Sequence, residues 1–357
     1  MVTKKRKRSL LLEELPADTI YIIFSYLPPE TLLLLIEPTS RYLKSLLLHK
    51  PLWQSLQLSC VDKFRPSFFK KYGTYVSSLT LSFFYSPENV NYLYMLKNIT
   101  YLNLTKVIYL RLNYLEDFLS KAPPSLKHLH LPHRSGNSDC YSNSIFLSLS
   151  QLQLKTLSIP YTQCSYEHDY NLFMGYLTTN VLKGYLETIK FYNFPNLDID
   201  FLCSFAAKFK KIKHINLDLC QLSTSNVNAF LNKVTPHLES FSAKFIEFDE
   251  RTMELLLSKS IRNLNMCHLN HSNREYNYFS RFKHIEEIHI VSGLTFNFEC
   301  LTKCTKLKTV TVLRTRVENS GAFENYIKDN QQIEFTVQRY NLSKEIRNNL
   351  PNNVCLL

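Results

Sequence analysis

Residues 212–222 read IKHINLDLCQL. Ile212, Ile215 and Leu217 set out the pattern apolar-x-x-apolar-x-apolar, with Cys220 and Leu222 behind it. Ile215 and Leu217 are two apart, the spacing that puts side chains on one face of a strand. Outward from this stretch the pattern recurs along most of the chain. Copies start at Trp53, Val76, Ile99, Leu126, Leu154, Leu186, Ile212, Leu238, Ile261, Ile285 and Leu307, and a degraded copy stands at Ile333 and Phe335. Successive starts lie 22 to 32 residues apart. Chance matches in an ordinary α/β domain would not keep so regular a step.

Amphipathic stretches separate the copies. YLEDFLSK (114–121), IDFLCSFAAKF (199–209), SNVNAFLNKV (225–234) and GAFENYIKD (321–329) carry apolar residues at i, i+3 and i+4, which predicts helices. Thr224 or Ser225 is the expected cap of the third. One strand and one helix per repeat cannot bury an apolar face alone, but stacked neighbours can. The pattern resembles the leucine-rich repeats, whose period is roughly 20–29 residues. In that family an Asn or Cys at the place of Cys220 satisfies backbone groups where the strand turns away. The expected fold is α/β: a solenoid of about 11–12 repeats over residues 53–340. It would form a horseshoe with parallel strands on the concave face and helices on the convex face. Residues 341–357 are expected to cap the last repeat, which otherwise exposes core.

Strand alternation sorts the remaining residues. With the Leu-type positions inward, Tyr101, His128, His130, Lys190, Tyr192, His214, Asp218, Lys244, His289 and Arg314 are expected on or beside the concave face. A curved surface of mixed charge, with Tyr and Arg among its residues, points to a protein partner.

Before the repeats, residues 15–32 read LPADTIYIIFSYLPPETL. Ile20, Ile23, Phe24 and Leu27 fall at i, i+3, i+4 and i+7, one face of a helix starting near Asp18. Pro16 suits its start, and Pro28 and Pro29 stop it. TLLLLIE follows, apolar nearly all round, and then RYLKSLLLHKPLW as a third helix. So much apolar surface on three short helices marks a partner site. Residues 10–52 resemble an F-box. The likeness rests on the Leu15-Pro16 opening, the run Ile23 to Pro28, Leu32, the Ser40-Arg41-Tyr42 segment and the Leu52-Trp53 close. Ser40 and Tyr42 stand roughly where the family usually has Cys and Trp. LWQSLQLS (52–59) passes directly into the first repeat strand.

The whole chain from about residue 12 to 340 is therefore similar to F-box proteins with leucine-rich repeats. That resemblance implies a non-catalytic substrate receptor of an SCF-type ubiquitin ligase, fungal by its Lys-, Asn- and Tyr-rich composition. The F-box would dock on the Skp adaptor, and through it on cullin and the RING subunit, while the repeats hold a protein substrate for ubiquitination and proteasomal degradation. Matching motif positions assigns the adaptor contact to Leu15, Pro16, Ile20, Ile23, Phe24, Leu27, Leu32 and Leu35, about half of them expected to be internal core. The alternative is a scaffold that works with the adaptor outside ubiquitination.

Composition narrows the rest. Net charge is +12, and five positive charges sit together in Lys4, Lys5, Arg6, Lys7 and Arg8, within a basic tail of residues 1–9 that resembles a nuclear-import signal. The body is too mildly charged for a nucleic-acid surface. Nine Cys in no even framework read as reduced thiols of the cytoplasm or nucleus. The longest apolar runs are far too short to cross a membrane. No two of the six Gly lie within eight residues of each other, so no phosphate-cradling loop exists and no cofactor is expected. His128, His130 and His133 have metal-like spacing but no Cys-rich segment beside them. Cys300 and Cys304 read as small apolar residues packing on a neighbouring repeat. RSGNSDCYSNS (134–144) reads as a mobile surface loop.

Overall fold

The computed structural model describes residues 12–36, 39–58, 66–82, 92–107, 110–133, 141–160, 175, 184–194, 197–269, 275–291, 295–296, 298–313, 316–317, 320–338 and 351–356. Lys4 to Arg8, the bulk of the 134–144 segment, Arg314 and residues 341–350 of the tail lie outside them.

Pro16, at φ −56° and ψ 144°, delivers an extended chain into α1 (Ala17–Ser25). α2 (Pro29–Ile36) begins on a proline, whose missing N–H is no loss in a first turn. α3 (Arg41–Leu47) is capped by Ser40, whose hydroxyl accepts from the Leu43 N–H at 3.3 Å. Ile20 and Phe24 from α1, Leu32 from α2, and Leu43, Leu46 and Leu47 from α3 are buried, and α3 touches both other helices. The third helix stops six residues short of the expected Trp53. Pro51 would place its ring against the Leu47 carbonyl and leave that group without its i+4 donor. The chain resumes instead as a 3-10 turn, Lys50–Trp53.

Trp53 is buried and joins two segments. Its indole N–H donates to the Leu47 carbonyl at 2.8 Å. Its ring lies 4.9 Å from Phe68 and 5.4 Å from Tyr72, centroid to centroid. Both aromatics belong to α4 (Pro66–Tyr72), in the first repeat. Gly73 follows because a Cβ there would come within 2.7 Å of the Met95 carbonyl oxygen. The three helices therefore share a compact unit with the repeats that follow. That unit ends at Leu152 and a second begins at Gln153.

In the first unit β1 (Ser55–Leu58), β2 (Ser78–Leu81), β3 (Tyr101–Asn103) and β4 (His128–His130) pair in chain order, all parallel. The apolar pattern sets the register: Leu56 lies opposite Leu79, Leu79 opposite Leu102, and Leu102 opposite Leu129. These leucines are buried, each contributing about 2 kcal/mol of transfer free energy. α5 (Leu112–Ser120) and α6 (Asn143–Ser150) pack together in a separate layer. The segment read as a loop from 134 to 144 is anchored at its end. Tyr141 is buried and donates to the Pro132 carbonyl at 2.6 Å.

The second unit repeats the scheme with β5 (Thr156–Pro160), β6 (Thr188–Tyr192), α7 (Ile199–Lys208), β7 (His214–Asn216), α8 (Thr224–Lys233), β8 (Ser240–Phe248), α9 (Glu250–Leu257), β9 (Asn263–Leu269) and β10 (Glu287–Val291). Strands β5 to β10 pair in parallel in that order. β11 (Thr295–Phe296) and β13 (Arg316–Val317) form a small sheet of their own. β12 (Thr309–Leu313) extends the main sheet, followed by β14 (Glu334–Val337) after α10 (Ser320–Asp329), and by β15 (Val354–Leu356). The degraded copy at Ile333 and Phe335 is thus a full repeat strand, with Phe335 opposite Val310. β15, from the last residues of the chain, covers the edge of β14.

Two helix caps differ from expectation or were not expected. α8 is capped by Ser223, not by Thr224 or Ser225; its hydroxyl accepts from the Asn226 N–H at 3.2 Å. α9 carries a capping box in which Asp249 accepts from the Thr252 N–H at 2.7 Å while the Thr252 hydroxyl lies 3.4 Å from the Asp249 N–H. Burial raises the Asp249 pKa, but bonds from Thr252 and Asn228 outweigh it and hold the carboxyl below its ordinary value. A carboxylate depressed in the fold stabilises it above the unfolded pKa, and that stability drains away as pH falls through the folded value. Asp249→Ala should therefore cost about 1–2 kcal/mol at neutral pH. The gap between variant and wild type should narrow below about pH 4. Urea titrations at pH 7 and pH 3 check it; a pH-independent gap would mean the charge is not involved.

Candidate functional site

The helical segment offers an apolar surface that the motif positions share only in part, as expected of a set about half of which is core. Ile20, Phe24 and Leu32, expected at an adaptor contact, are buried and hold the helices together. Leu15, Ile23, Leu27 and Leu35 are half-buried, and Pro16 is exposed. The bare apolar side chains are Ile22, Tyr26 and Leu34, at 58%, 83% and 75% exposure. Each sits two residues on from a buried position, about 200° round its helix. Tyr42 adds to them from α3. A cleft of about 620 Å³ opens between Tyr21, Ile22 and Leu27 on one side and His49, Leu52 and Gln57 on the other. The Tyr21 and His49 rings stand 4.3 Å apart across it.

On the sheet face of the first unit, Tyr101, His128 and His130 come together. The Tyr101 ring centroid is 6.2 Å from that of His128 and 5.3 Å from that of His130. His130 is buried and His128 half-buried. Asn103, next on β3, is engaged in the turn that ends it: its side-chain Oδ1 accepts from the Thr105 N–H at 3.0 Å and from the Thr105 hydroxyl at 2.7 Å. Among the described residues no group of three His, Cys, Asp or Glu is placed to hold a metal ion.

The sheet face of the second unit is a polar groove of about 200 Å³ across β6 to β10. Register pairing aligns two rows along it. One runs from Lys190 through Asn216, Ser242 and Asn265 to His289. The other runs from Thr188 through His214, Ser240 and Asn263 to Glu287. Burial lowers the pKa of both His214 and His289, so each is neutral at pH 7. Glu287 accepts from the Asn263 amide at 2.7 Å and lies 3.9 Å from His289 Nε2. The Asn265 side-chain oxygen is buried with no hydrogen-bond partner among the described residues. Tyr192 is exposed at the end of β6.

Asp218, expected as a partner contact, is consumed inside the fold. It is only 6% exposed. One oxygen accepts from the Ser242 hydroxyl at 2.6 Å and the Lys244 N–H at 3.0 Å; the other accepts from the Asn216 amide at 3.0 Å and lies 3.7 Å from Lys244 Nζ. Lys244 is thereby committed as well. The next residue, Leu219, is left-handed at φ 62°, a strained setting for a side chain of its size. Cys220 does what its place in the pattern implies: its buried thiol donates to the Phe191 carbonyl at 3.5 Å, and burial pushes its pKa up to about 12.

One feature of the second unit went unread in the sequence. The residue before each main-sheet strand from β5 to β12 alternates in sign: Lys155, Glu187, Lys213, Glu239, Arg262, Glu286, Lys308. In space five of the six steps close as ion pairs, with Lys155–Glu187 at 3.9 Å, Lys213–Glu239 at 3.5 Å, Glu239–Arg262 at 3.9 Å, Arg262–Glu286 at 3.5 Å and Glu286–Lys308 at 2.5 Å, while Glu187 and Lys213 form none among the described residues. Comparing one repeat position across copies would have found it. Each pair is partly exposed and worth little alone. Glu239→Lys puts three cations in a row and should cost about 1 kcal/mol at low salt, falling in 0.5 M NaCl. Thermal melts at two salt concentrations decide it; a salt-independent loss would point to packing instead.

No family model matches the chain, and no curated protein matches it. Among solved structures it is similar to a chain of the Rad7 and Elc1 complex from yeast, at TM-score 0.48 and 13% identity, over 84% of each chain.

Proposed function

We propose that this chain is the substrate-recognition subunit of an SCF-type ubiquitin ligase, non-catalytic, acting in the cytoplasm or nucleus. Its N-terminal helices would be an F-box that docks on the Skp adaptor, and its repeat strands would hold a protein substrate. The observation that carries this reading is the bare apolar surface of Ile22, Tyr26 and Leu34 on helices whose sequence resembles an F-box. Three large apolar side chains left in water on so short a segment favour a partner that covers them. Trp53 supports it further, because it joins the end of the third helix to the first repeat through its hydrogen bond to Leu47 and its ring contact with Tyr72. A receptor of this kind acts by proximity: holding adaptor and substrate on one chain raises the effective concentration of substrate near the ubiquitin-loaded enzyme.

The test is capture of the purified chain by the Skp adaptor, wild type against Ile22→Glu/Leu34→Glu. Both positions face water, so the variant keeps its fold, and two charges pressed into an apolar contact should weaken capture about a hundredfold. Absence of capture by folded wild-type protein would sink the F-box reading. A scaffold acting outside ubiquitination is separated by turnover: its partners would not accumulate when residues 10–52 are removed.

A further inference from the structure

The groove on the second unit has dimensions and charges that restrict what it can hold. It is two side-chain rows wide, about 7 Å, and five strands long, about 19 Å between the outer strands. An α-helix with its side chains is about 10–12 Å across and does not enter it. A single extended chain does, and about 19 Å spans five or six of its residues.

The two ends carry opposite charges. At one, the Lys190 side chain makes no hydrogen bond or ion pair among the described residues. At the other, Glu287 is held by Asn263 yet keeps its side chain 41% exposed. Between them the floor is uncharged: Asn216, Ser242 and Asn265, with the two histidines neutral at pH 7. Lys244 and Asp218, just off the groove, satisfy each other. A balanced groove of this kind does not attract a polyanion, and a purely basic or acidic segment would gain at one end what it loses at the other. The floor also holds a buried acceptor, Asn265 Oδ1, without a donor among the described residues. Burying such an atom is costly until a donor arrives.

We propose that the groove binds an extended segment of a protein substrate carrying one acidic and one basic side chain five or six residues apart. The acidic one lies against Lys190, the basic one against Glu287, and an N–H of the segment donates to Asn265 Oδ1. This rests on the reading of the chain as a substrate receptor and gives that receptor's recognition element a chemistry.

The experiment selects random dodecapeptides displayed on phage against the purified full chain, then measures the best synthetic peptide by calorimetry. Peptides with the stated charges and spacing are expected. Lys190→Glu and Glu287→Lys should each weaken binding about tenfold. The double variant should bind the peptide whose acid and base have been exchanged, and not the original. Asn265→Leu should weaken binding about tenfold while leaving the melting temperature unchanged or higher, because an unpaired acceptor has been removed. The proposal is overturned if no peptide is selected, if the selected ones lack that charge pair, or if they bind all variants alike. The adaptor capture described above is independent of these residues, so either reading can fail while the other stands.

Discussion

Trp53→Ala is expected to lower the stability of the first unit by about 4 kcal/mol, the upper range for removing a large buried aromatic. Three losses combine. The ring leaves a cavity lined by Phe68 and Tyr72. The Leu47 carbonyl at the end of α3 loses the indole N–H that satisfied it. The three N-terminal helices lose one of their ties to the first repeat, the contact of α2 with β1 remaining. Urea denaturation followed by circular dichroism measures the change. Trp53 is the only tryptophan, so in the wild type its fluorescence reports this unit separately. A loss under about 1.5 kcal/mol would show that the cavity collapses and that the join is made elsewhere.

Asp218→Ala should cost about 3 kcal/mol, although the position is one that strand alternation marks for partner contact. The alanine leaves the Lys244 N–H, the Ser242 hydroxyl and the Asn216 amide without their acceptor, and leaves Lys244 Nζ without its counter-charge. Asp218→Asn keeps one accepting oxygen and should cost roughly half as much, since its amide then faces the Asn216 amide as a second donor. Thermal and chemical melts of both variants give the order. Equal, small losses would return Asp218 to the list of surface contacts.

These two residues also show what a sequence can and cannot disclose. The strand register was legible because the inward positions recur as apolar residues, mostly Leu, Ile, Val or Phe, at one fixed spacing, and the described main-sheet pairs from β1 to β14 set those residues opposite one another. Trp53 belonged to that pattern, but its second role needs Leu47 and Tyr72 to be brought to it in space. Asp218 looked like a surface residue because alternation says which way a side chain points and nothing about who meets it there. The same limit explains the helices. TLLLLIE is apolar nearly all round, so the sequence does not choose between Leu32 and Leu34; packing against α3 chooses, and Leu34 is left in water. α9 escaped notice because its capping box uses Thr252 where the familiar signature has Glu or Gln.

The alternating ladder on the second unit has a consequence for how such an array can change length. Loss of the segment that contributes Lys213 would set Glu187 against Glu239, like beside like. Loss of the next segment as well would set Glu187 against Arg262 and restore attraction. Losing one segment thus leaves like charges side by side at the seam and losing two does not, a difference as small as the worth of one exposed pair.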